Sequence, residues 1–248
     1  MPESIYVING FYMAMREKYT KESVKLHYYV VEWDSANLSW EDFRGKALGA
    51  TDPVTAEAGS LRNSIFKQWN ELGLAAEPDV GDNGMHASAS PFEALCERMN
   101  WLGASLKEDP FGKSMLEAGI SEATIMDWTK DPQVEYEGKK QSLFDMLEDL
   151  NAQDCLDKAA KIAGVNSSVK STTNSAFVFI KPHAVTDKVV ALVRNNLQQR
   201  GITIDSEGQI DAKTIESNQL IDNHYYAIAS KATLLKPEQL NVPEDKFQ

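Results

Sequence analysis

The sequence has little cysteine, little positive charge and no long apolar run. Only two cysteines occur in 248 residues, Cys96 and Cys155. Both fall in helical patterns and read as buried or half-buried thiols rather than a disulfide framework. No Cys/His spacing marks a zinc site. No stretch approaches the length of a membrane-spanning helix. The opening MPESIYVING lacks the basic-then-apolar order of a secretory signal. The 25 Lys and Arg face 37 Asp and Glu, a net charge of −12 that disfavours nucleic acid and anionic membranes as partners. It leaves room for a locally basic cleft. With 42% hydrophobic residues the chain can build one large domain or two small ones.

What is present is concentrated in residues 81–97, GDNGMHASASPFEALCE. His86 stands among small residues just ahead of a helix start. Ser90-Pro91-Phe92-Glu93 is a capping box with proline at the first helical position. This order predicts a short strand ending near His86, with the ring facing a cleft. Glu97, about two turns into the helix, is placed to fold back and orient the ring through one nitrogen, leaving the other as a nucleophile. The plainer alternative is a structural histidine beside a cap.

Upstream, residues 26–33 (LHYYVVEW) read as a central strand. Ser39-Trp40-Glu41-Asp42 opens a helix as a second capping box, closed by Gly49. Residues 49–61 (GATDPVTAEAGSL) form a long loop. Arg62 begins the next helix, whose apolar spacing runs to Leu72. Free N–H groups, the helix dipole and a guanidinium fork make that start a natural phosphate seat. Residues 5–8 are a short apolar run, and 11–19 read as a short helix capped by Asn9. Phe11 and Tyr12 at its start are either core or a stacking surface.

Residues 104–173 carry no phosphate-binding or metal pattern. Helical fragments at 114–118, 122–128 and 140–162 are separated by Asp109-Pro110, Asp131-Pro132 and Gly164. Leu143, Phe144, Met146, Leu147, Leu150 and Leu156 make one apolar stripe, either a face packed on the main domain or a partner-binding helix. Residues 166–174 (NSSVKSTTN) read as a flexible linker. Then 175–180 is a strand, and a helix runs from Thr186-Asp187 to Gly201. Residues 202–210 are a second strand, and 220–228 are helical.

The N-x-x-H-x-S pattern of Asn83, His86 and Ser88, followed by Glu97, resembles the active-site strand of nucleoside diphosphate kinases. The run G-A-T-D-P and then G-S-L-R, ending at Arg62, resembles that family's phosphate loop. FVFIKPHAV, residues 177–185, resembles its opening strand, F-x-x-I-K-P-D-A-V. His224-Tyr225 resembles its histidine–tyrosine pair, and Phe11 its base-stacking aromatic. The resemblance implies that His86 carries a phosphoryl group from a nucleoside triphosphate to a nucleoside diphosphate. It implies Lys181, Arg62 and Arg44 around the phosphates and Thr51 on a phosphate oxygen. Asn83 and Ser88 support the site, Glu97 orients His86, and Tyr225 holds the ring or the phosphate. His224 is read as structural, and Mg²⁺ arrives on the nucleotide. Four departures stand against the pattern. Ala89 and His183 replace aspartates, Arg44 is offset by about one position, and the halves come in the wrong order.

The chain therefore reads as residues 1–103, like the C-terminal half of such a domain, an acidic helical insert at 104–173, and residues 174–248, like the N-terminal half. A circular permutation or a slice of a tandem array gives this order. The expected fold is α/β (α+β): a ferredoxin-like antiparallel sheet with packed helices, plus a helical appendage. Expected partners are nucleoside di- and triphosphates, with a homo-oligomer or a larger assembly. The expected compartment is the cytoplasm, with a cilium, flagellum or organelle as the alternative. A non-catalytic structural or nucleotide-sensing subunit is the rival to the enzyme.

Overall fold

The computed structural model describes residues 10–229; the run at 5–8 and the Asn9 cap lie outside them. The described chain opens with α1 (Gly10–Thr20) and β1 (Lys25–Asp34). A short helix α2 (Trp40–Asp42) runs into a π-helical turn, Phe43–Leu48, and α3 (Leu61–Lys67) and β2 (Met85–Ala87) follow. Helix α4 (Pro91–Leu102) leads into the middle segment, with α5 (Pro110–Glu117), α6 (Glu122–Trp128), β3 (Gln133–Tyr136), β4 (Lys139–Ser142), α7 (Leu143–Leu147) and α8 (Ala152–Ile162). The last part holds β5 (Thr173–Ile180), α9 (Asp187–Gln199), β6 (Thr203–Asp211), α10 (Ala212–Ser217), α11 (Leu220–His224) and α12 (Tyr226–Ala229).

The main sheet has the order β2-β5-β1-β6, with every neighbouring pair antiparallel. Read from β5, this is the ferredoxin-like arrangement of two interlocked split βαβ units. Strands β5 and β6 are joined through α9, β1 and β2 through α3, and each unit places its second strand across a strand of the other. The sheet thus draws strands from both ends of the chain.

Side-chain alternation builds a core on each face. Tyr29, Val31, Trp33, Ala176, Val178 and Ile180 point to the face covered by α3 and α9. Leu26, Val30, Phe177 and Phe179 point to the other, under Tyr19, Trp101 and Ile221. Double burial explains why β1 is apolar almost throughout. The two ends of the described chain meet. The Tyr12 hydroxyl donates to Asp222 Oδ1 at 2.6 Å, and Arg16 Nε bonds the same oxygen at 2.9 Å.

The middle segment is not purely helical. Residues 133–142 form a hairpin whose turn puts Glu137 and Gly138 at φ 51° and 75°, as a type I′ turn requires. The helix expected over 140–162 is two helices. Ser142 caps the first, and Asp149 at φ 60° breaks the chain before the second. Residues 166–174 are not a loose linker: Gln153 Oε1 accepts the Ser171 N–H at 2.9 Å, and Thr173 already pairs with Asp34. The helix expected from Arg62 to Leu72 stops at Lys67 and continues as turns to Gly73. The expected apolar stripe does pack inward. Leu143, Leu147 and Leu156 share a core with Phe92 and Leu95 of α4.

Candidate active site

His86 lies at the middle of β2, opposite Phe179 of β5, and its ring stacks on Phe179 at 4.6 Å. Ser90 accepts the Glu93 N–H at 3.1 Å and starts α4, which carries Glu97 back over the strand. The other half of the box is altered, because the Glu93 carboxyl takes the Ala89 N–H. His86 Nε2 sits 2.5 Å from Glu97 Oε1. The second Glu97 oxygen is 2.5 Å from Ser88 Oγ, which also accepts the Phe177 N–H at 3.0 Å. Burial pushes the Glu97 carboxyl up, but His86, His224 and Ser88 outweigh it, and the pKa lies below the usual range. An ionised Glu97 accepts the Nε2–H and leaves the Nδ1 lone pair free.

Arg62 is held on the other side of β2. Its Nη1 donates to Gly49 O at 2.8 Å and its Nη2 to Met85 O at 3.0 Å. Its buried Nε has no partner, and among the described residues no carboxylate pairs with it. Burial, with repulsion from Arg44, lowers its pKa to about 10. Gly49 makes this seat possible. At φ 95° it ends the π-helical turn, and a Cβ there would collide with Ser60 Oγ, the cap of α3.

Lys181 follows β5 two residues after Phe179, on the face that carries His86. Its Nζ donates to Gly81 O at 3.3 Å, and burial together with Arg62 lowers its pKa to about 8. Arg62 thus shares a cleft with His86, whereas Lys181 feels the Arg62 charge but lines neither cavity beside His86. Tyr225 feels the charges of Glu97, Glu93 and Arg62 and bonds Tyr19; burial raises its pKa to about 12. Asn83 is buried, and its Nδ2 donates to Thr51 O at 3.0 Å, while its Oδ1 has no partner. Thr51 lines the cleft with His86 and Arg62.

Two expected phosphate or base contacts do not converge as read. Arg44 lines the cleft, but its Nη1 lies 2.7 Å from both Glu148 Oε1 and Asp149 Oδ1 of the middle segment. The π-helical turn accounts for its register. Gly49 N bonds Arg44 O across five residues, which absorbs one extra residue into the helix. Phe11 is 77% exposed at the start of α1 and lines neither cavity beside His86, whereas Tyr12 is core. His183 fills the place expected for aspartate by accepting the Gly84 N–H through Nε2 at 3.1 Å.

Three features were not legible beforehand. His224 packs edge-on to His86 at 4.7 Å and accepts the Trp101 Nε1–H at 3.3 Å; burial lowers its pKa to about 3, so it is neutral. Glu93 borders both cavities, and burial with the Glu97 charge raises its pKa to about 8. His86 also lies between two cavities. One, of about 470 Å³, is lined by Arg44, Thr51, Arg62, Glu93, Glu148 and Asp149. The other, of about 630 Å³, is lined by Glu97, Met99, Met126, Phe144, His224 and Tyr225. The pairing of His224 with His86 needs α11 to reach β2 across more than half the chain, which no local pattern encodes.

Among the described residues, His86, Glu97 and His224 form the one cluster with metal-ligand spacing. Two imidazoles and one carboxylate do not suit Mg²⁺, which takes oxygen ligands. No helix of the described residues is long and apolar enough to cross a membrane. No protein-family model, no curated protein and no solved structure matches the chain.

Proposed function

We propose that the protein is a phosphotransferase resembling nucleoside diphosphate kinases. In this reading His86 moves the γ-phosphoryl of a nucleoside triphosphate to a nucleoside diphosphate. The observation that carries it is the buried Arg62, without a carboxylate, in the cleft that also holds a carboxylate-oriented histidine. A buried cation bonded only to carbonyls is costly, and an anion in the cleft relieves that cost. The ferredoxin-like sheet assembled from both chain ends supports the reading of a permuted domain.

The Nδ1 lone pair of His86 attacks the γ-phosphorus in line, and the bridging bond breaks with its electron pair passing to the departing diphosphate. The imidazole then bears positive charge while its Nε2–H stays on Glu97, whose negative charge balances it. Arg62 and Lys181 meet the charge gathering on the phosphate oxygens. Thr51 supplies a hydroxyl at the cleft and Tyr225 one at the neighbouring cavity, and Ser88 and Asn83 hold the surrounding backbone. The second transfer reverses these steps onto the acceptor. Mg²⁺ accompanies the phosphates, and no step is assigned to it on the protein. A cytoplasmic nucleotide pool and a homo-oligomer or larger assembly complete the proposal.

A second reading has one observation in its favour. Arg44 is engaged by two carboxylates, which suits a structural or nucleotide-sensing subunit of a ciliary or organellar assembly that binds without turnover. Transfer between ATP and GDP separates the two. The enzyme forms GTP with ping-pong kinetics and loses that activity in His86→Ala. A sensor binds ATP and forms no GTP.

A further inference from the structure

The middle segment reaches into the charged cleft. Glu148 and Asp149 lie between α7 and α8, and both carboxylates close on a single Arg44 nitrogen at 2.7 Å. Asp149 is pinned there by its own backbone. Its N–H donates to Ala89 O at 2.9 Å, three residues past His86. Its left-handed φ of 60° turns the chain at this point. These carboxylates and Glu41 line the cleft together with Arg44 and Arg62.

The contact is strong in geometry and accessible to solvent. Side-chain exposures are 28% for Arg44, 45% for Glu148 and 42% for Asp149. Such half-exposed pairs contribute modestly, because water competes for both charges. A polyphosphate presents more acceptor oxygens than two carboxylates, so it can replace them on the same guanidinium.

We propose that Glu148 and Asp149 act as an internal anion, occupying Arg44 in the ligand-free protein and giving way when a polyphosphate binds. The middle segment then becomes a gate on the cleft: whatever holds it down weakens ligand binding, and whatever lifts it strengthens binding. This inference rests on the proposed function, because it needs a polyphosphate to enter.

The test pairs calorimetric titration of ADP with Mg²⁺ and amide hydrogen exchange at Asp149, on the full chain. Bound ADP should accelerate Asp149 exchange, because the bond to Ala89 O opens. The double variant Glu148→Gln/Asp149→Asn should bind ADP about three- to tenfold tighter, and adding Arg44→Ala should remove the gain. Bound ADP with unchanged Asp149 exchange overturns the gate while sustaining the functional reading. A folded double variant that binds ADP no tighter does the same. Should the variant fail to fold, exchange in the unmodified protein decides alone. ADP that binds neither form overturns the functional reading and the gate together.

Discussion

Lys181 holds its charge against its surroundings. Its pKa of about 8 lies below the ordinary lysine value because it is buried beside Arg62. The unfolded chain therefore binds more protons between about pH 8 and 10.4, and stability contributed at this position rises with pH across that window. Below it the penalty is full. Lys181→Met should therefore stabilise the protein at pH 7 by about 1–3 kcal/mol, with the gain shrinking toward pH 10. Urea unfolding at both pH values reads this. The same variant should bind ADP more weakly at pH 7, a trade of function against stability. Glu97 acts through His86. Glu97→Gln should lower the transfer rate by about a hundredfold while leaving the KM for GDP nearly unchanged, since Glu97 meets no substrate. Steady-state kinetics with ATP and GDP decides it. At this scale the His86–Glu97 pair was legible, because strand, cap and helix lie in one short stretch. The engagement of Arg44 was not, because Glu148 is 104 residues away in sequence.

The element that sets the cleft is the turn closing the π-helix. Gly49 accepts the Arg62 guanidinium on its carbonyl and leaves no room for a side chain beside Ser60. Gly49→Ala meets both a left-handed backbone and a steric collision, so it should cost about 2–4 kcal/mol of stability and weaken ADP binding. Thermal melts and titration check the two effects. Helix starts were legible at the capping boxes of Ser39 and Ser90, each of which accepts a backbone N–H. The hairpin at 133–142 was missed because its strands are only four residues long, too short for the alternation of Val134 and Tyr136 to stand out. The break at Asp149 was missed because the apolar spacing runs on through it.

At the scale of the molecule, a buried ion pair is among the links between the middle segment and the sheet. Arg98 of α4 reaches Asp109 at 2.6 Å and Ser175 O of β5 at 3.1 Å, and Asp109 also caps α5. Asp109→Ala should cost about 3–5 kcal/mol, because it strands a buried guanidinium, as urea unfolding would show. The strands were legible as apolar runs, and the antiparallel, ferredoxin-like arrangement they form was expected from the family resemblance. The meeting of α1 with α11 was not, because it depends on Asp222 reaching Tyr12 and Arg16. In the proposed function His86 is the nucleophile. The direct measurement is to incubate the protein with γ-labelled ATP and Mg²⁺ and locate the label. The account predicts an acid-labile phosphoryl group on His86, absent in His86→Ala and discharged by GDP. Bound ATP with no label on the protein would contradict it.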